Sequence, residues 1–251
     1  MRIMIAKDYA SLSRAAADLV EEWARKTPDG LLSIPGGESP AGLAEEFCRR
    51  VREGRIDPAG LKFVQLDDWV GIGPEDEGSC SHFLRECLFG GMDKPFADTF
   101  TFDGTGPDID GQLQAQDDFI RRYGPIGMQV LGIGMNGHLG FNEDGVDFSL
   151  RSHRMKLSGV TLKVQKKYFG GRDLPLTEGI TMGIAQIMES RTVLVLASGE
   201  KKADIAAKAI AGPVSNQLPA SVLLGHPDCV YLLDEAAASR LPKGLPDVKR
   251  I

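Results

Sequence analysis

Gly127-Met128-Gln129-Val130-Leu131-Gly132-Ile133-Gly134-Met135-Asn136-Gly137-His138-Leu139-Gly140-Phe141-Asn142-Glu143 passes from an apolar run directly into a glycine-rich loop. A short apolar run bounded by turn residues reads as a buried strand. The glycines at 132, 134, 137 and 140 then allow a sharply curved backbone that a ligand can approach closely. The same punctuation recurs along the chain. Val-, Ile- and Leu-rich runs at 30–35, 61–66, 126–132, 191–197 and 229–234 alternate with segments of helical period at 8–26, 39–53, 77–88, 110–122, 180–189, 201–211 and 235–240. This alternation predicts an α/β fold with a largely parallel sheet. No repeat, low-complexity tract or Pro/Ser-rich hinge interrupts it, so residues 1–251 are expected to form a single domain. Segment 157–178 (LSGVTLKVQKKYFGGRDLPLTE) stands apart as polar, cationic and punctuated by Gly and Pro. A connection of that length reads as a lid, and its Lys163, Lys166 and Lys167 could meet an anion on closing.

Composition excludes several classes. With 42% hydrophobic and 25% charged residues the chain is ordinary globular material. No stretch approaches the roughly 18 to 20 apolar residues of a membrane helix. The opening MRIMIAKDYASL has no apolar core of a signal peptide, so the expected compartment is the cytoplasm and no membrane partner is expected. A net charge of -6 argues against nucleic acid as a partner and leaves an anionic small molecule open if cations converge locally. Cys48, Cys80, Cys87 and Cys229 have no zinc-like spacing; they read as reduced thiols, and no metal is expected.

In open α/β sheets ligands bind beyond the carboxyl ends of the strands, so the residues after each expected strand carry the chemistry. Ile34-Pro35-Gly36-Gly37-Glu38-Ser39-Pro40 leads from a strand into a helix that Ser39 would cap, presenting free N–H groups suited to a phosphate, or simply making a tight turn. Asp67 and Asp68 follow the next strand. Neighbours on extended backbone point opposite ways, so one can face a cleft while the other makes a structural hydrogen bond; a loop-capping pair is the plainer alternative. His138 and Glu143 sit in the glycine loop, where a histidine is suited to proton transfer and a nearby carboxylate or amide can fix its tautomer. His82, His153 and His226 lack that setting and read as structural or solvated. Lys202, after the run 191–197, could add a point charge to a bound phosphate or lie solvated on a helix start.

In order and spacing, these segments resemble the glucosamine-6-phosphate deaminase/isomerase family, from Ile34 to about Asp234. The glycine loop is similar to the family's G-x-G-x-[DN]-G-H-[IL]-[AG]-F-N-E pattern, and Asp67-Asp68-Trp69-Val70-Gly71 resembles its D-[DE]-[YW]-V-G turn. The resemblance implies a single-domain, Rossmann-like, doubly wound sheet, no organic cofactor, and a sugar phosphate as the small-molecule partner; a homo-oligomer stays open. It implies Asp67 as the base moving a proton between C2 and C1, His138 as the ring-opening group and Glu143 as its support. Gly36, Gly37 and Ser39 would hold the phosphate, with Lys202 and the lid's Lys167 as its cations. Asn136 departs from the aspartate common in the family. N-G-H-L-G resembles relatives that act on galactosamine 6-phosphate, which moves the expected substrate toward the galacto epimer; Asn136 is expected to accept a hydrogen bond from His138. The rivals are glucosamine-6-phosphate deamination, 6-phosphogluconolactone hydrolysis, against which Trp69 and Phe141-Asn142-Glu143 argue, and a non-catalytic sugar-phosphate sensor.

Overall fold

The computed structural model describes residues 1–170 and 174–251, with the side chains at 164–167 left aside. In chain order the strands are β1 (Arg2–Ala6), β2 (Leu31–Ser33), β3 (Lys62–Val64), β4 (Asp67–Trp69), β5 (Asp98–Phe100), β6 (Met128–Gly132), β7 (His153–Lys156), β8 (Glu178–Thr181), β9 (Thr192–Ala197), β10 (Cys229–Asp234) and β11 (Val248–Arg250). The α-helices are α1 (Tyr9–Lys26), α2 (Glu38–Arg52), α3 (Cys80–Phe83), α4 (Ile109–Tyr123), α5 (Gly159–Tyr168), α6 (Ile184–Glu189) and α7 (Ala203–Ala211). Eight strands form one sheet in the order β11-β1-β10-β9-β6-β2-β3-β5, and every pairing in it is parallel.

Period-two alternation in the central strands builds a core on each face. Val193, Val195 and Ala197 of β9, with Cys229, Tyr231 and Leu233 of β10, join the cluster that includes Ile120 of α4, Ile187 of α6 and Ile205 of α7. Leu194, Leu196, Val230 and Leu232 point the other way, into the cluster holding Leu12 and Val20 of α1 and Leu43 and Phe47 of α2. The sheet is therefore doubly wound. From β2 the chain moves outward to β3, and from β6 it moves the opposite way to β9, so the order reverses between the paired strands β2 and β6. Such a reversal opens a crevice at the carboxyl ends. Three helices begin where the sequence supplies an acceptor for their first N–H groups: Asp8 receives Ser11 N at 2.8 Å, Asp108 receives Gly111 N at 2.8 Å and Ser79 receives His82 N at 3.1 Å. No helix among the described residues is long and apolar enough to cross a membrane.

All five expected strands are present, four of them shortened and 229–234 unchanged; β1, β5 and β11 were not expected, and several other expectations need correction. The helix expected at 77–88 begins at Cys80 and loosens into a π-helical turn over Leu84–Phe89. The first residues of the helix expected at 180–189 belong to β8. Residues 235–240 turn instead of forming a helix: the Asp234 cap on Ala237 N opens a turn, but the next bonds reach back only three residues, Ser239 N to Ala236 O at 3.3 Å and Leu241 N to Ala238 O at 3.1 Å, and Pro242 follows. Ser39 is not the cap of α2: Gly37, at a φ of 132° open to glycine alone, makes the turn two residues earlier and the helix starts at Glu38. Segment 157–178 contains α5 and the start of β8, and Leu157, Phe169 and Leu176 bury themselves against Trp69 and Phe141.

A second, three-stranded antiparallel sheet, β4-β8-β7, was not anticipated, since its strands are short and largely polar. Its placement depends on Gln65, which is fully buried between β3 and β4. Gln65 Oε1 accepts from Phe102 N and Ser81 Oγ, both at 2.9 Å, and Nε2 donates to Asp67 O at 2.7 Å and Asp68 Oδ2 at 3.1 Å. Gln65→Leu strands these groups in a dry interior. We expect it to lower unfolding free energy by about 3 kcal/mol or more, read from the urea midpoint; a loss within that of ordinary surface changes would show that the network is dispensable.

Candidate active site

A cavity of about 450 Å³ lies at the strand-order reversal and gathers residues from four of the five expected strand ends. Pro35, Gly36, Gly37 and Ser39 line it after β2, Asp67 after β3, Gly134 and His138 after β6, and Lys202 after β9. At one end stands the first turn of α2, which has no side-chain cap and whose positive dipole end favours an anion. Tyr9 braces that turn, its hydroxyl donating to Glu38 O at 2.8 Å and accepting from Gly42 N at 2.8 Å. Lys202 Nζ donates to Ile133 O at 2.5 Å, which ties the β9 end to the loop after β6. Lys167 lies in α5, but its side chain is outside the described residues.

Asp67 and Asp68 diverge as extended backbone requires. Asp68, 1% exposed, points away from the cavity: its Oδ1 accepts from Trp69 N at 2.9 Å and Cys80 N at 3.0 Å. Its Oδ2 accepts from Ser81 N at 2.8 Å, Gln65 Nε2 at 3.1 Å and Ser79 Oγ at 3.2 Å. Asp67, 7% exposed, lines the cavity, and its buried Oδ1 has no hydrogen-bond partner among the described residues. Burial first, and the Asp68 charge second, push the Asp67 carboxyl up to about 8.

Glu143 is the opposite case. Burial alone would raise it, yet His138 Nδ1 at 3.4 Å, a close bond from Thr161 Oγ1 and Asn136 Nδ2 at 2.7 Å reverse the shift and hold the carboxyl down at about 2. Glu143 is thus an ionised partner for His138. Thr161 Oγ1 also stands 3.3 Å from His138 Nδ1, and with its own hydrogen given to Glu143 it is left to accept. Two acceptors at Nδ1 place the proton there in the neutral ring and leave Nε2 unprotonated. The ring lies over Gly134, where any Cβ would collide with the imidazole.

The expected bond between Asn136 and the His138 ring is not made. Asn136 Nδ2 serves Glu143 and, at 3.3 Å, Ser158 Oγ, while its Oδ1 accepts from the His138 backbone N at 3.4 Å. Asn136 therefore acts on the histidine's carboxylate. Sequence reading missed Ser158, Thr161 and Cys80, which arrive from α5 and α3 and carry no motif of their own. His82, read as structural, also lines the cavity, with Nδ1 3.3 Å from Pro74 O. His226 is buried, bonded to Ser190 O at 2.9 Å, and His153 lies on β7.

Two outcomes follow from this geometry. Gly134→Ala should displace His138 and cut turnover about a hundredfold with the circular dichroism spectrum retained; turnover within a few-fold of wild type would mean that the ring tolerates the methyl group. Asp67 has a folded-state pKa above its ordinary 3.8, so its contribution to stability is complete below that value and is lost as pH rises to about 8. Asp67→Asn removes that loss. Its Tm relative to wild type should climb across that interval, whereas a difference constant with pH would show that the carboxyl is ionised throughout.

The family model for glucosamine-6-phosphate isomerases and 6-phosphogluconolactonase matches residues 7–231. The glucosamine-6-phosphate deaminase of Geobacillus sp. strain WCH70 is 34% identical over 243 residues, covering 96% of either chain. Glucosamine-6-phosphate deaminase 2 of Bacillus subtilis strain 168 is 35% identical, covering 96% of this chain and 98% of its own. Among solved structures, a monomeric glucosamine-6-phosphate deaminase superposes with a TM-score of 0.91 at 30% identity, over 96% of this chain and 100% of that one. The 6-phosphogluconolactonase of Trypanosoma brucei shares the fold, with a TM-score of 0.74 at 19% identity over 96% and 98% of the two chains. With a cavity of this construction and matches over nearly its whole length, the chain belongs to the glucosamine-6-phosphate isomerase/6-phosphogluconolactonase family.

Proposed function

We propose that the protein isomerises and deaminates a hexosamine 6-phosphate, converting galactosamine 6-phosphate to tagatose 6-phosphate and ammonia. The observation that carries the reading is Asp67: a buried carboxyl with a partnerless oxygen, opening into the same cavity as a carboxylate-backed histidine and a helix N-terminus. The phosphate is held at Gly36, Gly37, Ser39 and Lys202, with Lys167 as a further cation from the lid. Anchoring the far end fixes C1 and C2 against Asp67.

His138, through Nε2, takes the proton of the C1 hydroxyl and returns one to the ring oxygen, opening the sugar to its aldehyde. Glu143 stabilises the imidazolium formed between these transfers. Asp67 then takes the C2 proton while the substrate's own ammonium gives up a proton and the aldehyde oxygen takes one, giving a neutral enolamine. Delivering that proton to C1 leaves a ketimine, and water adds at C2 to release ammonia and the ketose. A carboxyl raised by burial is a stronger base than a solvated one, and the substrate's ammonium favours its ionised form on binding. The free enzyme's kcat/KM should therefore rise with pH and level off above about 8.

The galacto epimer is supported by Asn136 within N-G-H-L-G, and the gluco epimer by the names of the relatives, which are glucosamine-6-phosphate deaminases. The purified protein is to be incubated with each amino sugar phosphate and with 6-phosphogluconolactone, following ammonia and acid. Faster ammonia release from galactosamine 6-phosphate is the expected result, and faster release from the gluco epimer reassigns the substrate. Release from neither, or acid from the lactone alone, overturns the proposal.

A further inference from the structure

The Asp68 network has a second product: it fixes the place of Cys80. Cys80 N is bonded to Asp68 Oδ1, and Ser79 Oγ and Ser81 N to Oδ2, so three consecutive residues of the α3 entrance are clamped beside β4. On the other side lies Gly36 of the α2 turn, so near that a Cβ on it would stand 2.9 Å from Cys80 Cα and O and 3.0 Å from Cys80 Cβ. The backbone and Cβ of Cys80 are thus held in place, and it lines the cavity together with Asp67, whose carboxyl its thiol meets. The two flanking serines have their hydroxyls engaged elsewhere, Ser79 with Asp68 and Ser81 with Gln65 and Phe102 O. The position against Asp67 is held by the residue with the weakest donor of its size.

We propose that Cys80 is a positioning residue for Asp67: its thiol packs against the carboxyl without supplying a strong hydrogen bond, and so preserves the carboxyl as a proton acceptor. The proposal rests on the reading of Asp67 as the base. Asp67 Oδ1 is buried without a hydrogen-bond partner among the described residues, and the Cys80 thiol, a weak donor to the carboxyl, opposes the upward push of burial and Asp68 with the smallest of the three effects. The titratable groups that face Asp67 are Asp68 on β4, Cys80 in α3, His138 after β6 and Tyr168 on α5; β8, paired with β4, presents Thr181 and no titratable group opposite Asp67. Burial, and then the charges of Asp67 and Asp68, raise the Cys80 thiol well above its ordinary value, so it stays a neutral S–H group and not a nucleophile.

The test is the pH dependence of kcat/KM for ammonia release in wild type, Cys80→Ser and Cys80→Ala. A serine hydroxyl at this place stabilises the Asp67 carboxylate, so Cys80→Ser should move the acidic limb down by about one pH unit and lower the plateau several-fold. Cys80→Ala should keep the plateau and leave the limb in place or move it up. If both variants retain the wild-type limb, or both lower the plateau equally with no movement of it, Cys80 only fills space and the proposal is wrong. Should wild type release no ammonia from either amino sugar phosphate, the functional reading fails by itself. Cys80 is then decided by infrared titration of the protonated Asp67 carboxyl, identified by its loss in Asp67→Asn: a band that titrates lower in Cys80→Ser supports the tuning, and an unmoved band overturns it.

Discussion

Asp68 is the residue around which the cavity is assembled. Its carboxylate gathers five donors, from Trp69, Cys80, Ser81, Ser79 and Gln65, and so joins β4 to the start of α3 and to the buried amide before it. Because the backbone at 67–69 is extended, fixing Asp68 inward obliges Asp67 to face the other way. A buried charge is tolerable when its lone pairs are satisfied. Burial pushes both carboxyls up; for Asp68 the bonds from Ser81, Trp69 and Cys80 work against that push, while Asp67 is left with a partnerless Oδ1 among the described residues, which is how two identical neighbours come to have different chemistry.

The same contrast runs across the cavity. Asp67 and Glu143 are both carboxyls removed from water, yet one is raised to about 8 and the other lowered to about 2. The cause in each case is the set of partners: a partnerless oxygen beside a second carboxylate for Asp67, against a histidine, a threonine hydroxyl and an amide for Glu143. Pairs of acids pushed apart in this way are a recurrent means of separating proton-accepting from charge-stabilising roles. Asn136 belongs to the second group. By donating to Glu143 it holds the carboxylate ionised, where an aspartate in its place would put two negative charges side by side.

The sheet brings these groups together by its winding. Reversal between β2 and β6 leaves the first turn of α2 and the loop after β6 on either side of one crevice, with β3 and β9 flanking them. The small antiparallel sheet closes the far wall, since β8 pairs with β4 and Phe141 packs on Trp69 at 4.7 Å between ring centres. Thr161 and Ser158 reach Glu143 from the start of α5, so the segment that reads as a polar connection is part of the wall as well.

By itself, the sequence determined five of the eight strands of the central sheet and its ligand edge; β1, β5 and β11 were not among the expected strands. Five of its strands are apolar runs that no other burial can satisfy, and glycine, acid and histidine follow them at fixed places, so Gly36, Gly37, Asp67, His138, Glu143 and Lys202 were legible one by one. The short strands β4, β7 and β8 were not, because three or four largely polar residues carry no periodic signal and exist only through pairing with one another. Tertiary structure supplied the physical ground for Asp67 over Asp68, and alone decided that Asn136 serves Glu143 in place of the histidine ring and that Cys80, Ser158 and Thr161 complete the site. Those outcomes rest on burial and on partners from distant segments, and desolvation is a property of the assembled surroundings that no single stretch of chain contains.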